Sequence, residues 1–238
     1  MKVVFHASAG PDLAGRLAAS PGLGVSVCRE NDTDTLFRLL PDCDVLWRVL
    51  QRCTAEMIAA APGLKLIQKI GVGVNTIDLE AARARGIPVC NLPGTNARAV
   101  AELALGLMLA VLRRIPRFDQ GLRTGVWADV AMQDGLGELS GRTVGLVGFG
   151  AIPRILAPIL AAMGCRVIYT ARMRVEDPVV AYRTLDELLA EANVVSLHLP
   201  LVPETQHVIG VEALGQMKPG AILVNKGRGG LVDPATLG

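Results

Sequence analysis

The chain has 238 residues, of which 51% are hydrophobic, 19% charged and 3% aromatic, and its formal net charge is +2. There is ample apolar material for a buried core, which excludes a disordered chain, while the balanced charge and scarce aromatics exclude a polyanion binder or a base-stacking platform, so no nucleic acid is expected as a partner. Every stretch free of Asp, Glu, Lys and Arg is far shorter than the ~20 residues of a membrane-crossing helix, so no membrane partner is expected either.

The opening MKVVFHASAG lacks the apolar core and cleavage site of a signal peptide, which predicts a cytoplasmic protein. Val3–His6 reads as a strand, followed by helical Asp12–Ala19, a strand at Val25–Cys28 and another at Val45–Trp47. Helical Thr54–Ala60, strand Leu64–Ile70, helical Leu79–Arg85 and strand Ile87–Asn91 complete the first series. Strands alternating with helices of this length predict a parallel sheet covered on both faces. Asn96–Arg114 then reads as one helix, nearly all apolar from Leu103 to Leu112, to be covered by the rest of the chain or by a second subunit. After a polar stretch, Arg117–Gly141, a second series has strands at Thr143–Gly148, Arg166–Thr170, Val194–His198 and Ala221–Asn225. Its helices fall at Ile152–Met163, Leu185–Ala190 and Val211–Met217. The fold class expected is therefore α/β, with two doubly wound parallel-sheet domains meeting near Asn96.

Cys28, Cys43, Cys53, Cys90 and Cys165 are scattered, with no CxxC spacing. They indicate neither a metal site nor a disulfide framework and read as small buried hydrophobes.

The chemistry begins at Gly148-Phe149-Gly150, which follows the apolar strand and opens a helix. In a dinucleotide-binding turn the first glycine makes the bend and the second lets pyrophosphate approach the backbone. The free N–H groups of the helix start, here Ala151 and Ile152, then face the phosphates. Pro153 stands where a third glycine is usual, a position in the first turn that tolerates proline. Pro158 lies deeper and predicts a kink or a cost of about 3 kcal/mol. At the end of the next strand, where a carboxylate would bond the ribose of NAD, the sequence has Tyr169-Thr170-Ala171-Arg172-Met173-Arg174. Two guanidinium groups in place of a carboxylate suit a 2′-phosphate and favour NADP over NAD as cofactor. The alternative is a glycine turn in an ordinary βα unit, with both arginines merely solvated.

Four stretches together resemble the D-isomer-specific 2-hydroxyacid dehydrogenases: KIGVGVNTIDLEAARARGIPVCN; NARAVAELALGLMLAVLRRI; GRTVGLVGFGAI with MGCRVIYTAR; and ANVVSLHLPLVPETQHVI with MKPGAILVNKGRGGLVD. They cover most of Lys69 to Asp233 in the family's order and spacing, and the Tyr-Thr-Ala-Arg strand end is similar to that of NADPH-using glyoxylate/hydroxypyruvate reductases. The resemblance implies a flavodoxin-like substrate domain over residues 1–95 and a Rossmann dinucleotide-binding domain over 96–238, with the active site in the cleft between them. It implies that the backbone of Val72, Gly73 and Val74 holds the substrate carboxylate, as a glycine-rich nest can, although Asn75 replaces the acidic residue usual after this loop. It places Arg228, in a loop after a parallel strand, on the family's catalytic and substrate-binding arginine. Around the cofactor it places Val72, Val100, Gly148, Gly150, Ala151, Ile152, Thr170, Arg172, Arg174, His198, Leu199, Pro200, Lys226 and Gly227. His198 is thus a cofactor-pocket or structural residue rather than the proton donor, and His6 and His207 have no constellation around them.

The activity implied is hydride transfer between NADPH or NADH and a small 2-oxo or D-2-hydroxy acid, in a homodimer built through the helix at 96–114. The family's glutamate and histidine lie a few dozen residues beyond its arginine, and the sequence stops at Gly238. The resemblance therefore predicts a C-terminally incomplete coenzyme domain, inactive alone. The rival readings are a non-catalytic nucleotide-binding or corepressor-type module, or a truncated pseudoenzyme, on the same fold.

Overall fold

In the computed structural model of the chain the described residues are 1–127 and 133–236. Part of the stretch read as polar, residues 128–132, and the end at Gly238 lie outside them. The chain divides into two compact units, Met1–Thr95 and Asn96–Gly238.

The N-terminal unit runs β1 (Lys2–His6), α1 (Pro11–Ala18), β2 (Gly24–Cys28), α2 (Thr33–Leu39), β3 (Val45–Arg48), α3 (Ala55–Ala59), β4 (Leu66–Lys69), α4 (Leu79–Ala84) and β5 (Val89–Cys90). Its sheet has the order β2-β1-β3-β4-β5, every pair parallel. This is the flavodoxin-like order, with its topological switch between β1 and β3. Val4, Leu46 and Ile67 stand side by side across three strands. Leu36, Ile58 and Ala82, one from each of α2, α3 and α4, join them in a core. Those three helices are short, and each is started by a side chain: Asp32, Thr54 and Asp78 accept the amides of Thr35, Met57 and Ala81. Such caps satisfy first-turn donors that a short helix cannot. Helix α2 is an addition to the elements named from the sequence, and Asp32 caps its start.

The C-terminal unit runs α5 (Ala97–Leu112), α6 (Ile115–Arg123), β6 (Thr143–Val147), α7 (Ala151–Ala162), β7 (Arg166–Thr170), β8 (Val180–Tyr182), α8 (Leu185–Glu191), β9 (Val194–Leu197), α9 (Val211–Gln216) and β10 (Ile222–Asn225). The sheet order is β10-β9-β6-β7-β8, again all parallel. Counted from β6 outward this is the Rossmann order 3-2-1-4-5, whose switch lies between β6 and β9. Alternate residues face opposite cores. Leu146 and Tyr169 pack with Ala104 and Met108 of α5 and Leu156 of α7. Val147, Ile168 and Leu197 pack with Leu188 and Leu189 of α8 on the other side. The α/β class with two parallel sheets is as expected.

Two details differ from the sequence reading. Ile115–Arg123, most of it inside the stretch read as polar, is a helix started by Pro116 in its first turn. The other is β8, a short edge strand that pairs with β7. The apolar helix α5 buries Ala97, Ala101, Ala104, Met108 and Leu112, a stripe at helical spacing, whereas Leu103 (46%) and Val111 (54%) are exposed. Helix α7 runs on through Pro158 to Ala162.

Candidate functional site

Open α/β sheets bind ligands beyond the carboxyl ends of their strands, at the switch point. In the N-terminal unit that place is filled by protein side chains. Strands β1, β3 and β4 end in His6, Arg48 and Lys69, all buried despite their polarity, Arg48 completely at 0% exposure. Parallel pairing sets His6 beside Arg48, and the His6 Nδ1 meets Arg48 Nη1. This corrects the view of His6 as isolated. Arg48 Nη2 donates to the carbonyl of Arg52, and Lys69 Nζ to the carbonyl of Val49 and, at 3.1 Å, to Thr76 Oγ1. Burial pushes the Arg48 guanidinium below its ordinary pKa. Among the described residues no carboxylate is paired with it.

The loop after β4 carries Val72, Gly73 and Val74. Gly71 has φ +149, which allows the chain to leave the strand abruptly. Its carbonyl accepts the Leu92 amide at 2.9 Å. The carbonyl of Val72 accepts Asn91 Nδ2 at 2.7 Å, and that of Val74 accepts the Ile77 amide at 2.9 Å. The carbonyls of Gly71, Val72 and Val74 are thus tied down, while the amides of Val72, Gly73 and Val74 donate to no described backbone group. Val72 is 44% exposed. A fixed loop with free donors beside the buried Lys69 can receive an anion.

In the C-terminal unit the glycine turn lies at the switch point. Gly148 has φ +96, and a Cβ there would stand 2.7 Å from the His198 carbonyl oxygen and 3.1 Å from Leu199 Cδ2. Only glycine lets the ends of β6 and β9 come so close. Gly148 also donates to the Thr170 carbonyl at 2.8 Å, joining the end of β7 to the turn. A Cβ on Gly150, by contrast, would meet nothing within 4 Å. That open space faces the start of α7, a 12-residue helix without a side-chain cap. The amides of Ala151 and Ile152 are first-turn donors with no partner inside the helix. Pro153 removes only the next amide, and its ring is buried in the core. The space and donors fit a dinucleotide pyrophosphate.

His198 is half-buried, its Nε2 2.9 Å from Ser196 Oγ. Its Nδ1 is buried without a partner among the described residues, and burial pushes its pKa down to about 4. The ring is neutral at physiological pH. Pro200, the residue after Leu199, is exposed. Beyond β10, Asn225 shapes the next loop: its Oδ1 accepts the Gly227 amide at 3.0 Å and its Nδ2 donates to the Arg228 carbonyl at 2.9 Å. A Cβ on Gly227 would stand 3.0 Å from the Leu199 carbonyl. Gly148, His198, Leu199 and Gly227 thus converge, with Lys226 and Arg228 on the same loop as Gly227. Arg228 is exposed and donates to the Gly227 carbonyl at 3.0 Å. Among the described residues it is paired with no carboxylate. Thr170 ends β7, Arg172 and Arg174 stand exposed on the loop after it, and Val100 sits half-buried in the first turn of α5.

Residues 105–238 match the family model described as the D-isomer specific 2-hydroxyacid dehydrogenase, NAD binding domain. The chain is 41% identical over 208 residues to a hydroxypyruvate reductase of Thermotoga maritima, covering 87% of this chain and 67% of that protein. It is 42% identical over 211 residues to a D-3-phosphoglycerate dehydrogenase of Mycobacterium tuberculosis, of which it spans 40% and which covers 87% of this chain. Among solved structures, the TT0316 protein of Thermus thermophilus superposes with a TM-score of 0.89 at 40% identity, covering all of this chain (100%) and 77% of that one.

Proposed function

The chain belongs to the D-isomer-specific 2-hydroxyacid dehydrogenase family, and from that premise we propose that it binds NADP(H) in preference to NAD(H) and serves the interconversion of a small 2-oxo acid and its D-2-hydroxy acid. The observation that carries the proposal is the Gly148–Gly150 turn, where open space, two free amides and a helix start coincide at the switch point. In this reading residues 1–95 serve the substrate and residues 96–238 the cofactor, in a cytoplasmic homodimer built through α5. Five free cysteines accord with a reducing compartment.

Gly148, Gly150, Ala151 and Ile152 hold the pyrophosphate. Thr170 meets the ribose, and Arg172 and Arg174 take its 2′-phosphate as charge-assisted donors. Within the C-terminal unit Val100, His198, Leu199, Pro200, Lys226 and Gly227 line the nicotinamide side, where the neutral, half-buried His198 helps to exclude water. Bound there, the nicotinamide supplies or accepts the hydride. The amides of Val72, Gly73 and Val74 hold a substrate carboxylate, as a glycine-rich nest can. Arg228 binds carboxylate and stabilises the negative charge that grows on a ketone oxygen during reduction.

None of the three histidines is poised to give that oxygen its proton. His6 is held against Arg48, His198 is neutral and bonded to Ser196, and His207 is exposed with a strained φ of 52. A general acid needs a partner that raises its pKa, and none of these has a described carboxylate neighbour. The 238 residues are therefore expected to bind the dinucleotide without turning substrate over.

Calorimetric titration of the chain with NADPH and NADH tests the reading. NADPH should bind more tightly, and Arg172→Ala or Arg174→Ala should each weaken it about tenfold, the worth of one charge-assisted hydrogen bond. Equal or tighter binding of NADH removes the role given to both arginines. Reduction of glyoxylate or hydroxypyruvate at an ordinary rate by the isolated 238 residues overturns the expectation of binding without turnover.

A further inference from the structure

Aromatic side chains are scarce in this sequence, with four Phe, two Trp and two Tyr. Both tyrosines and one phenylalanine gather at a single place. Phe149, the middle residue of the glycine turn, lies against Tyr169 of β7 with ring centroids 4.3 Å apart. Tyr182 of β8 meets the same Tyr169 ring edge-on at 5.6 Å. The cluster joins the turn before α7 to the strands on either side of the β7–β8 loop, and cations flank it. The Arg154 guanidinium lies 5.1 Å from the Phe149 centroid and that of Arg174 lies 5.4 Å from the Tyr182 centroid, within cation–π range.

Tyr169 is fully buried, yet its hydroxyl is satisfied twice by one residue of the loop. It accepts the Val175 amide at 2.7 Å and donates to the Val175 carbonyl at 2.5 Å. Residues 171–179 contain no helix or strand, so these two bonds and the packing of Val175 on the core anchor the segment that carries Arg172 and Arg174. Asp177 on the same loop is turned to local use, accepting the Val179 amide at 2.8 Å. Neither Arg172 nor Arg174 is paired with a carboxylate among the described residues. A flexible arginine pair loses much of its binding energy to ordering, and a loop fixed in advance avoids that loss.

We infer that Tyr169 is a positioning residue for cofactor choice: its hydroxyl latches the β7–β8 loop at Val175 and so holds Arg172 and Arg174 ready for a 2′-phosphate. The inference rests on the role given to those arginines above. Tyr169 need touch no part of the ligand to act in this way, and its ring can stay in place when the hydroxyl is removed.

Tyr169→Phe keeps the stacked ring and deletes only the latch. The probes are 2′,5′-ADP and 5′-ADP, which differ by the 2′-phosphate, with affinities measured by calorimetry on the whole chain. Wild type should prefer 2′,5′-ADP. Y169F should weaken that ligand by about fivefold to tenfold, the factor set by one or two net hydrogen bonds, and leave 5′-ADP within about twofold. If wild type shows no preference, the reading of the arginines fails and the inference falls with it. If wild type shows the preference and Y169F keeps it, or weakens both ligands equally, the latch alone is refuted. Hydrogen exchange of the wild-type chain decides the matter even if Y169F does not fold. The Val175 amide should exchange as slowly as the core amides of β7, and exchange as fast as its exposed neighbours Met173 and Glu176 overturns the latch.

Discussion

Burial holds the imidazole of His198 down to about 4, against an ordinary 6.5. Below about 6.5 the unfolded chain takes up a proton that the folded chain refuses until about pH 4. The stability tied to the neutral ring is complete above about 6.5 and drains away as the pH falls to about 4, by up to about 3 kcal/mol. Urea unfolding at pH 7 and pH 4.5 should show that loss in wild type, and His198→Asn should remove much of it. An unchanged pH profile in the variant means the ring is hydrated in the folded state. His198 was legible from sequence as a strand-end residue, and it directly follows β9. The His6–Arg48 contact was not, because the two residues are 42 positions apart and meet only through the register of two parallel strands.

Among the elements, α7 combines a strong feature with a costly one. Its uncapped start, with Gly150 as cap residue, leaves amides free for a ligand, and its interior carries Pro158, exposed at the surface. Proline there cannot donate to the Arg154 carbonyl one turn back, and its ring crowds that carbonyl. Pro158→Ala should therefore raise stability by about 1–3 kcal/mol with dinucleotide affinity unchanged, as read from thermal midpoints and a parallel titration. A destabilised variant would show that the proline is compensated locally. Elements with long apolar runs, such as β6, β9 and α5, were plain in the sequence. Those that were not, α2, α6 and β8, owe their form to a single cap, a first-turn proline and a neighbouring strand, and none of these leaves a periodic apolar pattern.

At the scale of the molecule, each unit has its own apolar core, and α5 gives only one face to the core of the C-terminal unit. Leu103 and Val111 on α5 and Ile115 and Leu122 on α6 are the exposed apolar groups there. Solvent exposure of so many large apolar side chains on two adjacent helices favours a covered state. The chain is expected to sediment at twice its 25.1 kDa at micromolar concentration. Leu103→Glu with Val111→Glu should give a monomer of nearly unchanged secondary structure; a wild-type monomer refutes the homodimer. That both sheets are parallel follows from alternating strands and helices, and the glycine turn was legible because its strand and helix flank it. The free amides of Val72–Val74 and the aromatic cluster were not, since both arise only when distant segments fold together.

The buried stripe of α5 has one more consequence, for synthesis. Ala101, Ala104, Met108 and Leu112 pack with Val144, Leu156 and Val224. At ~5–20 residues per second the ribosome delivers Val224 several seconds after the helix it must cover. During that wait the N-terminal sheet already has all of its strands, while a 16-residue apolar helix has none of its own. The nascent chain is thus most prone to aggregate, and most in need of a chaperone, between the emergence of α5 and that of β10.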